Sequence, residues 1–445
     1  MYTVYMDYKD KKVLFTAFSV SPGSEEMSLY NYLKNHGVND ISALYWGGEA
    51  IAGQIPAGVT RIAIDSPTAI TPELLAGYDV VFRHPPTRPD LLTGANVSSV
   101  TQEFFEKCPA PIIGVTGTKG KGTTSTLIAK ILEAAGKKVH LVGNIGKPSL
   151  DALPNIQADD FVVHEISSFQ LWDLTISPHI SVVLMIEPDH LDVHKDMDDY
   201  VGAKANIAKF QTVKDWLYHH PTNELSLKIA ESGNANKQPY MSQSNAYVQD
   251  GKIFLEGQEI MSVDEVGLIG KHNLENICAA VAATRHLVDD KEVIKRALTE
   301  FKGLENRLEF VREVSGVKYY NDTFSTAPMA TRAAVVAFDD PEILILGGAD
   351  KRINFADLAD VITKKSVKKV LLIGEIKQKI AEALKSAGYN NFELVDGGMP
   401  EIVARASVVA DSGDIVLLSP GTSSFDMFKD YKDRGRQFKL AVENL

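Results

Sequence analysis

The run Gly114-Val115-Thr116-Gly117-Thr118-Lys119-Gly120-Lys121-Gly122-Thr123-Thr124 holds the residue types that grip a polyphosphate. Its glycines let the backbone turn back and aim N–H groups at an anion. Lys121 can reach the outer phosphates, and a hydroxyl from Thr123 or Thr124 can ligate Mg²⁺. The first glycine stands one position earlier than in the generic phosphate loop, and Gly122 takes the place where Ser or Thr is usual. A plain strand–helix turn carrying a surface lysine is the competing reading. The flanks favour phosphate binding: the apolar run Ala110-Pro111-Ile112-Ile113 precedes, and a helical pattern from Ser125 to Ala135, closed by Gly136, follows. Strand, glycine turn and helix is the context required, because the helix N-terminus adds partial positive charge.

Other side chains able to do chemistry stand at the ends of apolar runs. Glu165, in Glu165-Ile166-Ser167-Ser168-Phe169-Gln170, directly follows a buried strand pattern and is a natural Mg²⁺ ligand in a phosphate-loop domain. Glu187-Pro188-Asp189-His190-Leu191-Asp192-Val193-His194 follows another strand. Its two His and two Asp point to a second metal or substrate position, although the histidine spacing alone does not establish zinc. Lys204, by pattern alone, reads as a solvated helix lysine. Asn273 and Asn276 lie near a helix start, where an amide either reads a base edge or caps the helix. Asn306-Arg307-Leu308-Glu309 and Tyr320-Asn321-Asp322-Thr323 are polar clusters beside apolar runs.

The elements that must carry these residues are those of an α/β protein. Residues 1–106 read as a small α/β unit. Strands are expected near 13–18, 41–45, 59–64 and 78–83, a helix capped by Ser24 near 24–34, and another at 98–107. From 107 to 306 the β-rich runs 138–142, 161–165 and 180–186 read as buried parallel strands. Helices are expected near 198–210, 274–287 and 291–301, whereas 214–268 is polar and shows only a short strand near 252–255. From 307 to 445, strands at 342–346, 370–373, 392–395 and 414–418 alternate with helices near 355–364, 375–387, 399–409 and 423–443. That rhythm is a doubly wound parallel sheet, whose ligands sit at the carboxyl ends of the strands.

Length and composition fit this organisation. At 445 residues the chain has room for three domains of about 150 residues each. With 44% apolar and 23% charged residues it can build several cores. A formal charge of −12 with no block of Lys or Arg argues against a nucleic-acid surface. Two widely spaced cysteines, Cys108 and Cys278, form neither a metal pattern nor a disulfide framework and fit a reducing compartment. The N-terminus does not read as a secretory signal, and no run approaches the roughly 18 apolar residues that span a bilayer.

In combination and order, from about residue 80 onward, these segments resemble the Mur ligase family. Within it, Glu165 to Leu171 and Leu418-Ser419-Pro420-Gly421-Thr422-Ser423-Ser424-Phe425-Asp426-Met427-Phe428-Lys429-Asp430-Tyr431 are most similar to the branch that adds D-glutamate to UDP-N-acetylmuramoyl-L-alanine. The resemblance implies three domains: an N-terminal Rossmann-like one for the uridine nucleotide (1–106), a central phosphate-loop ATPase (107–306), and a C-terminal doubly wound Rossmann-like one for the amino acid (307–445). It implies a monomeric cytoplasmic enzyme of peptidoglycan precursor synthesis, using ATP and two Mg²⁺ ions through an acyl phosphate, with no nucleic-acid or membrane partner. Thr118, Lys119, Gly120, Lys121, Gly122, Thr123 and Thr124 would hold the phosphates. Thr123, Glu165, His190 and a carbamylated Lys204 would serve the metals. Lys121, Glu165, His190 and Lys204 would form the catalytic set. Asn276, Arg307 and Asp322 would bind the nucleotide, Asn144 the muramoyl substrate, and Thr326, Lys351, Ser424 and Tyr431 the D-glutamate.

Three departures from the family pattern stand out. Phe324 occupies a position where the D-glutamate ligases usually carry lysine. Gly122 is more like folylpolyglutamate synthase, a relative in the same superfamily. The first strand runs into Ser19-Val20-Ser21-Pro22-Gly23-Ser24 rather than a G-x-G turn, and the strand at 41–45 runs into Trp46-Gly47-Gly48 without a terminal Asp. On sequence alone three alternatives stay open: a family member with a folate or another muramoyl acceptor, a phosphate-loop NTPase or kinase without ligase chemistry, and a binding protein on a lapsed ligase fold.

Overall fold

Runs such as Ile112-Ile113-Gly114-Val115-Thr116 and Ile415-Val416-Leu417-Leu418 are apolar on both faces, so they need cover on both sides. The computed structural model describes residues 8–18, 24–46, 48, 52–53, 55–268, 270, 273–351, 353–365 and 367–445. The chain divides into two compact units, one of residues 1–265 with 274–298, the other of 266–273 with 299–445.

The first unit contains two parallel sheets and a small antiparallel one. The N-terminal sheet comprises β1 (Lys12–Phe15), β2 (Asp40–Tyr45), β3 (Thr60–Ala63), β4 (Val80–Phe82) and β5 (Val97–Ser98). Its order is β3-β2-β1-β4-β5, a Rossmann-like arrangement. The helix Glu25–Asn35 follows β1 and starts on Ser24, whose hydroxyl accepts from Met27 N at 3.3 Å. Residues 19–23 and Gly47, which belong to the third sequence departure, lie outside the described residues.

The central sheet is built from β6 (Ile112–Thr116), β7 (Val139–Gly143), β8 (Phe161–Glu165), β9 (Ile180–Val183), β10 (Trp216–His219) and β11 (Asn236–Pro239), in the order β11-β10-β9-β6-β8-β7. Strand β6 lies between β8 and β9, with Val115 beside Glu165 and Thr116 beside Val183. From β6 the chain crosses to β7 on one side and from β9 it continues to β10 on the other, so the carboxyl ends of β6 and β9 flank a topological switch point, where open α/β sheets place ligands. The segment 214–268, polar and mostly unassigned from sequence, contains β10, β11, the helix Glu224–Ala230 and an antiparallel sheet of β12 (Ala246–Gln249), β13 (Lys252–Leu255) and β14 (Gln258–Ser262). Strands β11 to β14 are short and partly exposed, and the buried β10 spans only four residues, so the apolar runs that marked the others are missing.

The second unit holds β15 (Glu309–Val314), β16 (Val317–Asn321), β17 (Glu342–Gly347), β18 (Val367–Ile373), β19 (Phe392–Leu394) and β20 (Ile415–Leu418), in the order β15-β16-β20-β17-β18-β19. All pairings are parallel except β15 with β16. That hairpin was not expected: charged residues interrupt β15, and Ser315-Gly316 makes the turn with both residues at positive φ. The last helix is Tyr431–Glu443, shorter than the expected 423–443. It begins where Asp430 caps it, accepting from Asp433 N at 2.8 Å, and residues 423–430 form turns instead.

Candidate active site

The helix after β6 starts at Lys121, four residues before the expected Ser125, so Gly122, Thr123 and Thr124 lie in its first turn. Gly120 is its N-cap with φ 83°, and Gly117 has φ 156°. A Cβ on Gly117 would stand 2.6 Å from Leu184 Cβ, and one on Gly120 would stand 2.2 Å from Asn276 Oδ1. Both positions therefore require glycine. Lys121 Nζ donates to the carbonyls of Gly117 and Thr118, each at 3.0 Å. Thr118 Oγ1 donates to Glu187 O at 3.0 Å and accepts from Glu187 N at 2.9 Å, tying the loop to the segment after β9. Lys119 is exposed and paired with Glu187 at 3.3 Å. Thr124 is buried, its Oγ1 donating to Asn276 Oδ1 at 3.3 Å, so Thr123 is the more accessible of the two hydroxyls.

Lys204 overturns the pattern-based expectation of a solvated lysine. It is 1% exposed, on the inner face of the helix Met197–Lys209. Its Nζ donates to Gly117 O at 3.1 Å and to Thr116 Oγ1 at 3.2 Å, and lies 4.8 Å from the centre of the Tyr200 ring. Two ammonium groups, those of Lys121 and Lys204, thus share one carbonyl acceptor. Burial first, then the Lys121 charge, pushes the Lys204 ammonium well below the usual lysine range. Tyr200, four residues earlier on the same helix face, also places its hydroxyl 3.0 Å from Thr118 Oγ1. Thr116 and Tyr200 were not singled out from sequence; the i,i+4 spacing of Tyr200 and Lys204 was the available signal.

Glu165 ends β8, 7% exposed, beside Val115 of β6 and Gly143 of β7. The turn after it is held by a capping box between Ser167 and Gln170. Asn144 lies at the end of β7, its N–H 3.4 Å from Glu165 O. The two histidines of the segment 187–194 part company. His190 is half exposed, with φ 54° and its ring 4.9 Å from that of Phe169. His194 is buried against Phe169, Trp172 and Tyr200, contacts Ser168 Oγ and Asp199, and titrates below the usual range because of burial. It is a packing residue, so the segment offers one histidine rather than two. The loops after β6, β7, β8 and β9 bring Thr118–Thr124, Asn144, Glu165 and His190 to one edge of the sheet, with Lys204 and Asn276 packed against the loop.

The donor set fits a hard cation. Glu165 and Thr123 supply oxygen, and among the described residues no group of three or more His, Cys, Asp or Glu is arranged to hold a metal. Mg²⁺ needs no such cage, since it keeps water and takes phosphate oxygens alongside one or two protein ligands. His190 offers nitrogen, which Mg²⁺ takes less readily.

In the second unit, β16, β20 and β17 are neighbours, so the loops after them lie side by side. The loop after β16 carries Asp322 and Thr326, the loop after β20 carries Ser424, and the loop after β17 carries Lys351. Asp322 is buried: Ser419 Oγ donates to it at 2.7 Å and Leu308 N at 3.2 Å, and burial pushes its carboxyl up to about 6. Lys351 Nζ donates to Thr326 O at 3.3 Å. Phe324, 42% exposed, has the Arg307 guanidinium 3.9 Å above its ring and the Tyr431 ring edge-on at 5.4 Å. A guanidinium therefore lies stacked on the phenyl ring at position 324.

Residues 115–284 match the Mur ligase middle domain and residues 306–421 the Mur ligase glutamate ligase domain. A UDP-N-acetylmuramoylalanine–D-glutamate ligase of Clostridium novyi is 39% identical over 386 residues, covering 83% of this chain and 84% of that protein. The chain belongs to the Mur ligase family. Its Acetivibrio thermocellus relative of the same name is also 39% identical, over 392 residues with the same coverage. Solved Mur ligases share the fold. UDP-N-acetylmuramate–alanine ligase of Thermotoga maritima aligns with a TM-score of 0.58 at 17% identity, covering 98% of this chain and 99% of that one. A MurF of Acinetobacter baumannii gives 0.59 at 15% identity, covering 92% and 91%. Among the described residues, no helix of this Mur ligase is long and apolar enough to cross a membrane.

Proposed function

We propose that this Mur ligase joins D-glutamate to UDP-N-acetylmuramoyl-L-alanine with hydrolysis of ATP to ADP and phosphate, in the cytoplasm and as a monomer. The name carried by relatives 39% identical over 83% of the chain supports the substrates. The observation that carries the chemistry is the pair of lysine ammonium groups converging on Gly117 O beneath the glycine loop, one strand from Glu165.

In this reading residues 1–106 take the uridine nucleotide, 107–306 take ATP, and 307–445 take the amino acid. The acceptor carboxylate oxygen attacks the terminal phosphorus of ATP, the bond to the bridging oxygen breaks, and ADP leaves. The glutamate nitrogen then attacks the acyl carbon, loses a proton, and expels phosphate. Both reactants of the first step are anionic. Lys121 and the N–H groups of residues 118–124 lower the repulsion between them. Mg²⁺, when bound at Thr123 and Glu165 with His190 beside a second position, would neutralise the remaining phosphate charge. A buried, readily deprotonated Lys204 is suited to add its nitrogen to the carbon of CO₂, releasing one proton. The resulting carbamate is an oxygen donor where the sequence encodes a cation. Asn276, Arg307 and Asp322 serve the nucleotide, Asn144 the muramoyl group, and Thr326, Lys351, Ser424 and Tyr431 the glutamate. A cationic Lys351 suits a dicarboxylate.

The test is phosphate release from ATP with UDP-N-acetylmuramoyl-L-alanine and D-glutamate, L-glutamate, L-alanine or L-lysine, with product masses. Release and a new amide with D-glutamate alone is the expected result. Turnover of ATP that requires neither acceptor nor amino acid would sink the reading.

A further inference from the structure

Arg434, which the sequence did not single out, lies in the helix Tyr431–Glu443 and is completely buried. A buried guanidinium normally faces a carboxylate, because an unpaired charge away from water is costly. Here the hydrogen-bond partners are neutral. Nε donates to Thr323 Oγ1 at 2.8 Å, and Nη2 donates to Thr323 O at 3.1 Å and Thr422 O at 3.2 Å. Nη1 is buried with no hydrogen-bond partner among the described residues. Burial lowers the guanidinium to about 10, with Asp426 offsetting only part of the effect.

Its neighbours form a junction of three loops. A Cβ on Gly348, which follows β17, would stand 3.4 Å from Nη1 and 2.3 Å from Ser423 O. Thr422 Oγ1 donates to Ala349 O at 2.6 Å, and Ala349 N donates to Ser423 O at 3.0 Å. Thr323 Oγ1, while accepting from Arg434, donates to Tyr431 O at 3.2 Å. One guanidinium therefore meets the loops after β16, β17 and β20. These loops carry Thr326, Lys351 and Ser424, and Tyr431 is on the arginine's own helix. If the position served packing alone, an apolar side chain would fill it at no cost to stability, since buried charges are often replaced by hydrophobic residues without loss.

We propose that Arg434 is the positioning residue of the amino-acid site: it locks the three loops together and places a positive charge beneath them, which favours a dicarboxylate. The planar fork is essential to this role, because lysine offers a point charge and cannot span Thr323 and Thr422. The part of the inference that concerns the amino acid rests on the ligase reading above.

The experiment compares wild type with Arg434→Met and Arg434→Lys. Steady-state assays give KM separately for D-glutamate, ATP and the muramoyl acceptor, and hydrogen exchange follows segments 322–326, 347–351 and 419–424. Both variants should raise the KM for D-glutamate at least about tenfold while the other two stay within about twofold. The three segments should exchange faster together, and R434M should melt lower than wild type, because three buried acceptors lose their donor. An unchanged KM for D-glutamate, or faster exchange in one segment alone, overturns the inference. Should R434M fail to fold, Thr323→Val removes the Nε acceptor at nearly constant volume and is read by the same two criteria. A wild type that makes no amide with any amino acid rejects the ligase reading instead, and the exchange data still decide whether Arg434 locks the loops.

Discussion

At the scale of single residues, burial decides what a titratable group can do. Lys204 is a cation in sequence, yet it sits out of water beside a second ammonium. Lys204→Arg keeps a charge that adds no CO₂, so activity should fall by at least about a hundredfold. Intact-protein mass spectrometry in bicarbonate should show one added CO₂ on wild type and none on the variant. Glu342 gives a prediction for stability. It opens β17 fully buried, neither carboxyl oxygen has a partner among the described residues, and burial pushes its pKa up to about 8. From pH 4.5 to 8 the unfolded chain releases this proton while the folded chain keeps it. The folded state therefore binds more protons, and stability falls as pH rises through that window. Glu342→Gln removes the slope and should be more stable than wild type by roughly 2–4 kcal/mol at pH 8, with little difference near pH 5. Urea melts at the two pH values measure this, and parallel pH profiles for the two proteins would refute the assignment.

At the scale of elements, the phosphate loop depends on backbone that other residues do not readily adopt. Gly120 has φ 83° and faces Asn276 Oδ1 too closely to admit a Cβ. Gly120→Ala should weaken nucleotide binding at least tenfold, about 1.4 kcal/mol or more, and lower stability by over about 1 kcal/mol. Calorimetric titration with ATP·Mg²⁺ against a thermal melt separates the two effects. Intact binding in the variant would mean that the loop accommodates the side chain by moving Asn276. The element boundaries show the limits of pattern. The strand β8 and the helix Met399–Val409 were legible at their exact ends: Asp160 and Glu165 delimit the apolar run of β8, and Gly397-Gly398 and Ala410-Asp411 flank the amphipathic run of the helix. The helix at Lys121 starts earlier than periodicity indicates, because its first turn is glycine and threonine aimed at a ligand rather than at a core.

At the scale of the molecule, the first compact unit has to hold two parallel sheets together. In the first unit the N-terminal and central sheets are joined by a buried ion pair. Arg83, at the end of β4, donates through Nε and Nη2 to Asp173 at 2.7 and 2.6 Å, and through Nη2 to Phe169 O at 2.7 Å. Glu25, at the start of the first helix, accepts from Gln170 of the capping box that follows Glu165. Arg83→Met removes one partner of the pair and leaves Asp173 without its guanidinium. Such breaks cost about 3–5 kcal/mol where the remaining charge is buried; Asp173 is 22% exposed, so about 2–3 kcal/mol is expected here. The loss should appear in urea unfolding of the intact chain, and Arg83→Met with Asp173→Leu should recover part of it. Destabilisation in the double variant as large as in the single would show that packing, not the charge pair, joins the sheets.

Sequence alone determined which chemistry the chain carries and how it is divided. The order of glycine loop, Glu165, His190, Lys204 and the segment 418–431 identified the family, and the β-α rhythm identified parallel sheets, because both are local properties of adjacent residues. Tertiary structure decided which side chains are out of water and which loops meet. Lys204 read as a solvated helix lysine and Asp322 as part of a polar cluster beside an apolar run, until packing of segments far apart in sequence buried both. His190 and His194 read alike until aromatic rings enclosed one of them. Arg434 was invisible because its partners, Thr323 and Thr422, are brought to it by β20 inserting between β16 and β17, and no local pattern records a strand order.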